Sequence, residues 1–274
     1  MRREIITQFK KAIRQLAARF VASRVTVPIL AGPAKGLRVP RDIAIAYPSL
    51  ILGNYEPAVT NAILSIKQPI NVAYDVGAHI GLTALILAKG FGKNTSVIAF
   101  EPSRENISSL ASLLSANPEI EVRAIPLALS DCVGEAEFYR FQGSSMGLLG
   151  AIAAKDSTKV RESDAEIVRT TTLDEFVFDE GHPAPEFIKI DVEGAESLVL
   201  TGGLQTISRY QPVLLIELHG PVHAASVYDL LCGTSYRWTY IRPGIGPSES
   251  ILDRSQLLAY FGPRDRWTQH VLLQ

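Results

Sequence analysis

Short apolar runs that end in an acid recur along this chain, each followed by residues at helical spacing. Val72, Ala73 and Tyr74 lead to Asp75, and Ile98, Ala99 and Phe100 lead to Glu101. Phe187, Ile188 and Ile190 lead to Asp191, and Leu214, Leu215 and Ile216 lead to Glu217. Runs this short, rich in β-branched and aromatic residues, predict buried strands. Between them Leu82, Leu85, Ile86 and Ala88, and later Leu110, Leu113 and Leu114, recur every three or four residues and predict helices packed on those strands. The alternation of the two patterns predicts an α/β fold with a mostly parallel sheet.

The remaining chain falls into weaker elements. Residues 2–24 carry Ile5, Ile6, Phe9, Ile13, Leu16 and Phe20 at helical spacing, surrounded by seven Lys and Arg with Glu4 as the one acid. They predict a basic amphipathic helix packed on the main domain; a membrane-surface helix or partner-docking arm is the less favoured alternative. Pro28, Gly32, Pro33, Gly36 and Pro40 then predict a linker or irregular β segment, and residues 58–67 a helix. The expected boundary lies at residue 52, with a segment at 1–52 and the main domain at 53–274. Residues 121–129, 134–141 and 167–172 read as strands and 173–178 as a short helix. Residues 142–164, rich in Gly, Ser and Ala, read as a lid over the substrate. The tail predicts a helix at 222–232 and a closing antiparallel hairpin of strands at 238–242 and 270–273.

Residues 71–90 organise the rest. Here a buried strand ends at Asp75, a tight turn carries Gly77 and Gly81, and a helix begins. A dinucleotide fold needs a further glycine two positions after the first, so that backbone can touch the pyrophosphate. His79 occupies that position and argues against a nicotinamide cofactor. S-adenosylmethionine has no phosphate; its ammonium, carboxylate and ribose suit an acid at the strand end and bare backbone amides. Glu101 follows Gly77 at close to the ~20-residue spacing expected of an acid that accepts from ribose hydroxyls. Pro102 behind it is suited to a helix's first turn. Asp131 closes the run at 121–129 and suits the adenine amino group. With Glu56, ahead of the second helix, Ser130 beside Asp131, and Asp191, these residues form the expected cofactor set. In a doubly wound sheet the strand ends lie along one edge, where ligands bind.

Composition adds limits. Of 274 residues 47% are apolar, enough for a substantial core, and the net charge of -1 gives no reason to expect nucleic acid. Two cysteines, far apart, fit neither a disulfide scaffold nor a zinc site and suit a reducing, cytoplasmic setting. No apolar run reaches the ~18 residues of a membrane span.

The motifs Asp75-Val-Gly-Ala-His-Ile-Gly81, Phe100-Glu-Pro102, Ala128-Leu-Ser-Asp131, Thr172-Leu-Asp-Glu175, Ile188-Lys-Ile-Asp-Val-Glu-Gly-Ala-Glu196 and Ile216-Glu-Leu-His219 resemble those of the FkbM-type S-adenosylmethionine-dependent methyltransferases. The resemblance spans about residues 53–220. It implies a class I methyltransferase, Rossmann-like doubly wound sheet of seven strands with the last antiparallel, and O-methylation of a sugar, glycolipid or polyketide-like hydroxyl. His79 departs from the asparagine common in the family, and its protonation is expected to make cofactor binding pH-sensitive. The acceptor's oxygen needs a base. His219, with an ordinary pKa near neutrality, is the expected one, with Asp191 and Glu193 as alternatives or orienting groups. A metal on Asp191, Glu217 and His219 would also activate a hydroxyl, but no spacing demands one and none is assigned. A nicotinamide-dependent oxidoreductase and a non-catalytic binding protein are the competing readings.

Overall fold

Apolar side chains alternate between two faces of one sheet, and helices cover both. In a computed structural model, which describes residues 25–140, 147–149, 165–243, 246–262 and 268–274, the strands are β1 Thr26–Pro28, β2 Arg38–Pro40, β3 Val72–Val76, β4 Ser96–Phe100, β5 Val122–Ile125, β6 Ala128–Leu129, β7 Gly134–Arg140, β8 Gly147–Leu149, β9 Ala165–Thr171, β10 Phe187–Ile190, β11 Val213–His219, β12 Trp238–Arg242, β13 Gly246–Ile251 and β14 Thr268–Leu273. The main sheet runs β13-β12-β14-β11-β10-β3-β4-β5. Strands β11, β10, β3, β4 and β5 pair in parallel, and β14 runs antiparallel to both β11 and β12.

Phe187, Val213 and Leu215 face one hydrophobic cluster, with Leu85 and Leu87 of the helix Leu82–Phe91. Ile188, Leu214 and Ile216 face the other, with Val199 of the helix Glu196–Thr201 and Val227 of the helix Pro221–Leu231. All four residues of β10 are buried. This is the mark of a parallel strand covered on both sides.

Among the described residues the sheet has eight strands where seven were expected. The eighth, β13, forms a hairpin with β12, and the helix Arg254–Ala259 follows it. The two expected late strands, β12 and β14, do pair antiparallel, but β13 and that helix lie between them in the chain. The run at 121–129 is also not one strand. Pro126 divides it, leaving β5 in the main sheet and β6 in a second sheet of order β6-β9-β7-β8. Proline lacks the N–H a central strand must donate.

The basic segment at 2–24 and most of the expected lid at 142–164 lie outside the described residues. Among the described residues no helix is long and apolar enough to cross a membrane. Residues 25–52 pack into the main core, where Ile29, Leu37, Val39 and Leu50 join the cluster that holds Leu85. Asn117, fully buried, fastens β2 to the helix Arg104–Ser115. Its Oδ1 accepts from Arg38 N at 2.8 Å, and its Nδ2 donates to Arg38 O and to Leu113 O, each at 2.8 Å. We expect Asn117→Ala to lower unfolding free energy by ~1–3 kcal/mol, since it removes the three hydrogen bonds with which this buried side chain joins β2 to the helix. Urea unfolding measures it; a loss below about 0.5 kcal/mol would show that the fastening contributes little.

Candidate active site

At the C-terminal ends of β3, β4 and β10 the chain opens a cleft of ≈ 840 Å³, counted to its mouth. Its floor is the glycine turn. Gly77 has φ 77°, and a Cβ there would stand 1.8 Å from the Asp191 carbonyl oxygen. Only glycine brings β3 and β10 this close while leaving bare backbone toward the cleft. Gly81, with φ 91°, starts the helix Leu82–Phe91 against Leu110 and does not line the cleft.

Glu101 is buried just past β4. Its Oε1 accepts from Ser103 N at 2.9 Å and Asn106 Nδ2 at 3.2 Å, and its Oε2 from His79 N at 2.8 Å. Burial raises its pKa to about 7 against those donors. Pro102 also lines the cleft but stands one residue ahead of the helix cap Ser103, so it does not begin the helix. Burial pushes His79 down to about 4, so its ring stays neutral across the physiological range. The pH sensitivity expected of His79 therefore passes to Glu101. Glu56 lines the cleft and is raised to about 7, again by burial first.

Asp75 does not reach the cleft. It is fully buried, and its Oδ1 lies 3.3 Å from Lys189 Nζ, which β10 places opposite it in register. Lys189 also meets Asp191 Oδ2 at 3.1 Å and donates to Gly77 O at 3.1 Å. Burial works against the Lys189 ammonium, but Asp191 and Asp75 outweigh it and hold the group well above an ordinary lysine. Burial likewise opposes ionisation of Asp191, and Lys189 and His219 reverse it, so its carboxyl lies below its usual value. Ser130 and Asp131 sit at the turn after β6, where Ser130 Oγ donates to Asp131 Oδ1 at 3.2 Å. Neither lines the cleft, although Ala128 and Leu129 of β6 just before them do.

His219 ends β11 and is buried behind the cleft wall. Its Nδ1 lies 2.7 Å from Glu196 Oε1, and its Nε2 faces Glu193 at 3.4 Å, Glu217 at 3.7 Å and Asp191 at 3.8 Å. Burial lowers its pKa, but these acids, Glu196 foremost, bring it to about 9. The near-neutral titration expected of His219 does not hold in this setting. Glu193, by contrast, lines the cleft, and burial raises it to about 7.

Sequence reasoning missed Lys189 and Glu196. A single lysine inside an otherwise apolar strand was the available signal for the first. Of the four non-glycine residues with positive φ among the described residues, Glu56, His79 and Glu193 all line this cleft. Strain of this kind gathers at functional sites.

The wall fits S-adenosylmethionine. Glu101 offers a carboxylate for ribose hydroxyls, Glu56 and Asp191 suit an ammonium, and Gly77 exposes backbone. Phe100, Leu127, Leu129 and Phe138 supply an apolar face for adenine. Lowering pH through about 7 should weaken cofactor binding, because protonated Glu101 loses its charge-assisted acceptor. Glu101→Gln should weaken it at pH 8 by tenfold or more, equivalent to ~1.5 kcal/mol. Calorimetry at pH 8 and 6 reads both; an affinity independent of pH and unchanged in the variant would remove Glu101 from the ribose role.

The methyltransferase FkbM domain family matches residues 75–237. Over 181 residues, 64% of this chain and 67% of the relative, the chain is 29% identical to hexuronic acid methyltransferase AglP of Haloferax volcanii. Among solved structures it is similar to methyltransferase FkbM from Methylobacillus flagellatus KT, with a TM-score of 0.47 and 17% identity over 85% of this chain and 54% of that one. This chain thus spans about half the length of the Methylobacillus protein. It is also similar to the O-methyltransferase from Bacillus cereus in complex with SAH, with a TM-score of 0.39 and 15% identity over 80% of this chain and 78% of that one.

Proposed function

The chain belongs to the methyltransferase FkbM domain family, with S-adenosylmethionine as its cofactor, and we propose that it methylates a hydroxyl oxygen of a sugar-like acceptor. The observation that carries this reading is the continuity of the cleft. The stretch from Gly77 to Glu101 suits the cofactor, and Asp191 to Glu193, which adjoin Gly77, present carboxylates where an acceptor would meet it. The relative named for hexuronic acid supports a sugar-like acceptor. Family membership sets aside the nicotinamide-dependent alternative.

When bound, S-adenosylmethionine supplies a methyl group already activated by a sulfonium. The protein's task is to align the acceptor and remove its proton. Alignment alone supplies several kcal/mol, up to ~7–11 in favourable cases. Glu193 is placed for the proton. It lines the cleft beside Asp191, on a backbone held at φ 51°, and takes the hydroxyl proton onto its carboxylate. Asp191 stays ionised against Lys189 and orients the hydroxyl. His219, tied to Glu196 behind the wall, acts on Glu193 and Asp191 rather than on the acceptor.

Incubating the protein with isotopically labelled S-adenosylmethionine and a panel of sugars and uronic acids should label a sugar-like acceptor at an ether oxygen, read by mass spectrometry. Glu193→Gln should lower single-turnover transfer by ~10²–10⁴-fold while cofactor affinity stays within a few-fold of wild type. Label on nitrogen or carbon, or a variant as active as wild type, would refute this assignment.

A further inference from the structure

Behind the cleft wall, three side chains are each tethered by one polar atom and aim another at a common point. Asp191 gives Oδ2 to Lys189 at 3.1 Å, leaving Oδ1 toward His219. Glu217 gives Oε2 to His270 Nε2 at 3.0 Å, leaving Oε1 toward His219. His219 gives Nδ1 to Glu196 at 2.7 Å, leaving Nε2 toward these two carboxylates and, at 3.4 Å, toward Glu193 on the cleft wall. The His219 side chain is only 7% exposed, and its Nε2 stands 3.7 and 3.8 Å from the Glu217 and Asp191 oxygens, too far for hydrogen bonds. One ligand atom from each residue lies within 4.8 Å of the others. The Nε2 of this largely buried ring thus faces three carboxylates, Glu193 nearest at 3.4 Å and then Glu217 and Asp191.

We propose that Asp191, Glu217 and His219 bind a divalent first-row transition cation. Two ligands each ~2.1 Å from an ion at tetrahedral-like angles lie ~3.4 Å apart, close to the observed spacing before an ion draws them in. One imidazole with two carboxylates suits manganese, iron or zinc better than magnesium, which prefers oxygen throughout. The outer partners follow the same logic: a metal-bound histidine donates its other N–H to a carboxylate, and ligating carboxylates are themselves held. Glu196 is fully buried and its Oε1 also accepts from Gly194 N at 2.8 Å, so it fixes the ring's orientation. Glu56, Asp75 and Glu193 add to the surplus of acids, which Lys189 and His270 only partly offset. Asp191 lines the cleft and the other two ligands lie behind it. The cation's role rests on the methyl-transfer reading: it would polarise an acceptor hydroxyl and ease its proton toward Glu193.

The test is titration of the full-length, chelator-stripped protein with Mn²⁺ alone, following the free Mn²⁺ signal by electron paramagnetic resonance. One ion per chain is expected. Glu196→Gln should weaken binding by ~10–100-fold, as loss of an outer partner does, and Glu217→Gln and His219→Ala should weaken it at least as much. Glu217→Gln is isosteric at a position only partly buried, so it reads the site even if His219→Ala fails to fold. No bound Mn²⁺, or binding unchanged in Glu217→Gln and Glu196→Gln, overturns the proposal. Calorimetry with S-adenosylmethionine on the same samples separates the two readings. Cofactor binding without Mn²⁺ binding sinks the cation site alone; Mn²⁺ binding lost in the variants supports it even if no acceptor is methylated.

Discussion

A buried lysine holds this site together. Lys189 lies in a strand with no exposed residue, where an unpaired ammonium would cost many kcal/mol and would shed its proton instead. Asp75, Asp191 and the Gly77 carbonyl surround it and keep it charged. These partners come from β3, from the residue after β10 and from the glycine turn between β3 and the next helix. One side chain therefore ties together the two central strands and the turn. Breaking such a buried pair by removing one partner typically costs ~3–5 kcal/mol, because the survivor is left charged and alone. Here three elements would lose their common reference, and the cleft floor is built from all three.

Much of this was legible in the sequence where the determining contacts are local. The strand at Val72–Val76, its glycine turn and the helix Leu82–Phe91 follow from an apolar run, two glycines and 3.6-residue spacing, all within twenty residues. Glu101 was readable because its spacing from Gly77 is fixed by one βα unit. Asp75 was not, because its partner Lys189 arrives through the register of β10 on β3, and a strand-end acid looks the same whether it faces ligand or lysine. His219 shows the same limit: Glu196 replaces the ordinary titration that residue type alone suggests. The eighth strand escaped for another reason. β13 reads Gly-Pro-Ser-Glu-Ser-Ile, an edge strand without apolar alternation, and its pairing with β12 supplies the order that its sequence does not announce. Pro126, by contrast, was a visible breaker within the run at 121–129, and beyond it β6 joins the second sheet.

Strain and polarity are arranged by the same side chains. Backbone conformations such as those of Glu56, His79 and Glu193 cost ~1–3 kcal/mol each and persist only where the surroundings overdetermine them. Two of these turns are held by a buried glutamate that accepts a backbone N–H: Glu101 takes that of His79, and Glu196 takes that of Gly194, next to Glu193. At Glu56 the following helix does the holding, with Thr60 donating its N–H to Glu56 O and its hydroxyl to Tyr55 O. Beyond these backbone bonds, Glu101 lines the cleft and Glu196 orients the His219 ring.

This double use explains why the two acids are buried rather than exposed at the cleft mouth. A carboxylate in water holds its partners weakly, since solvent competes for every donor. Inside the protein the same bonds are stronger, and the price is a carboxyl whose charge is harder to maintain, as the value of about 7 at Glu101 records. Glu101 offsets part of that cost with three donors, and Glu196 with the Gly194 amide and the His219 ring. A side chain fixed by two or three such bonds has one available rotamer, and so does whatever it orients. The positions of His79, Glu193 and His219 are therefore set before any ligand arrives, which is the condition under which alignment and charge contribute to a barrier rather than to binding alone.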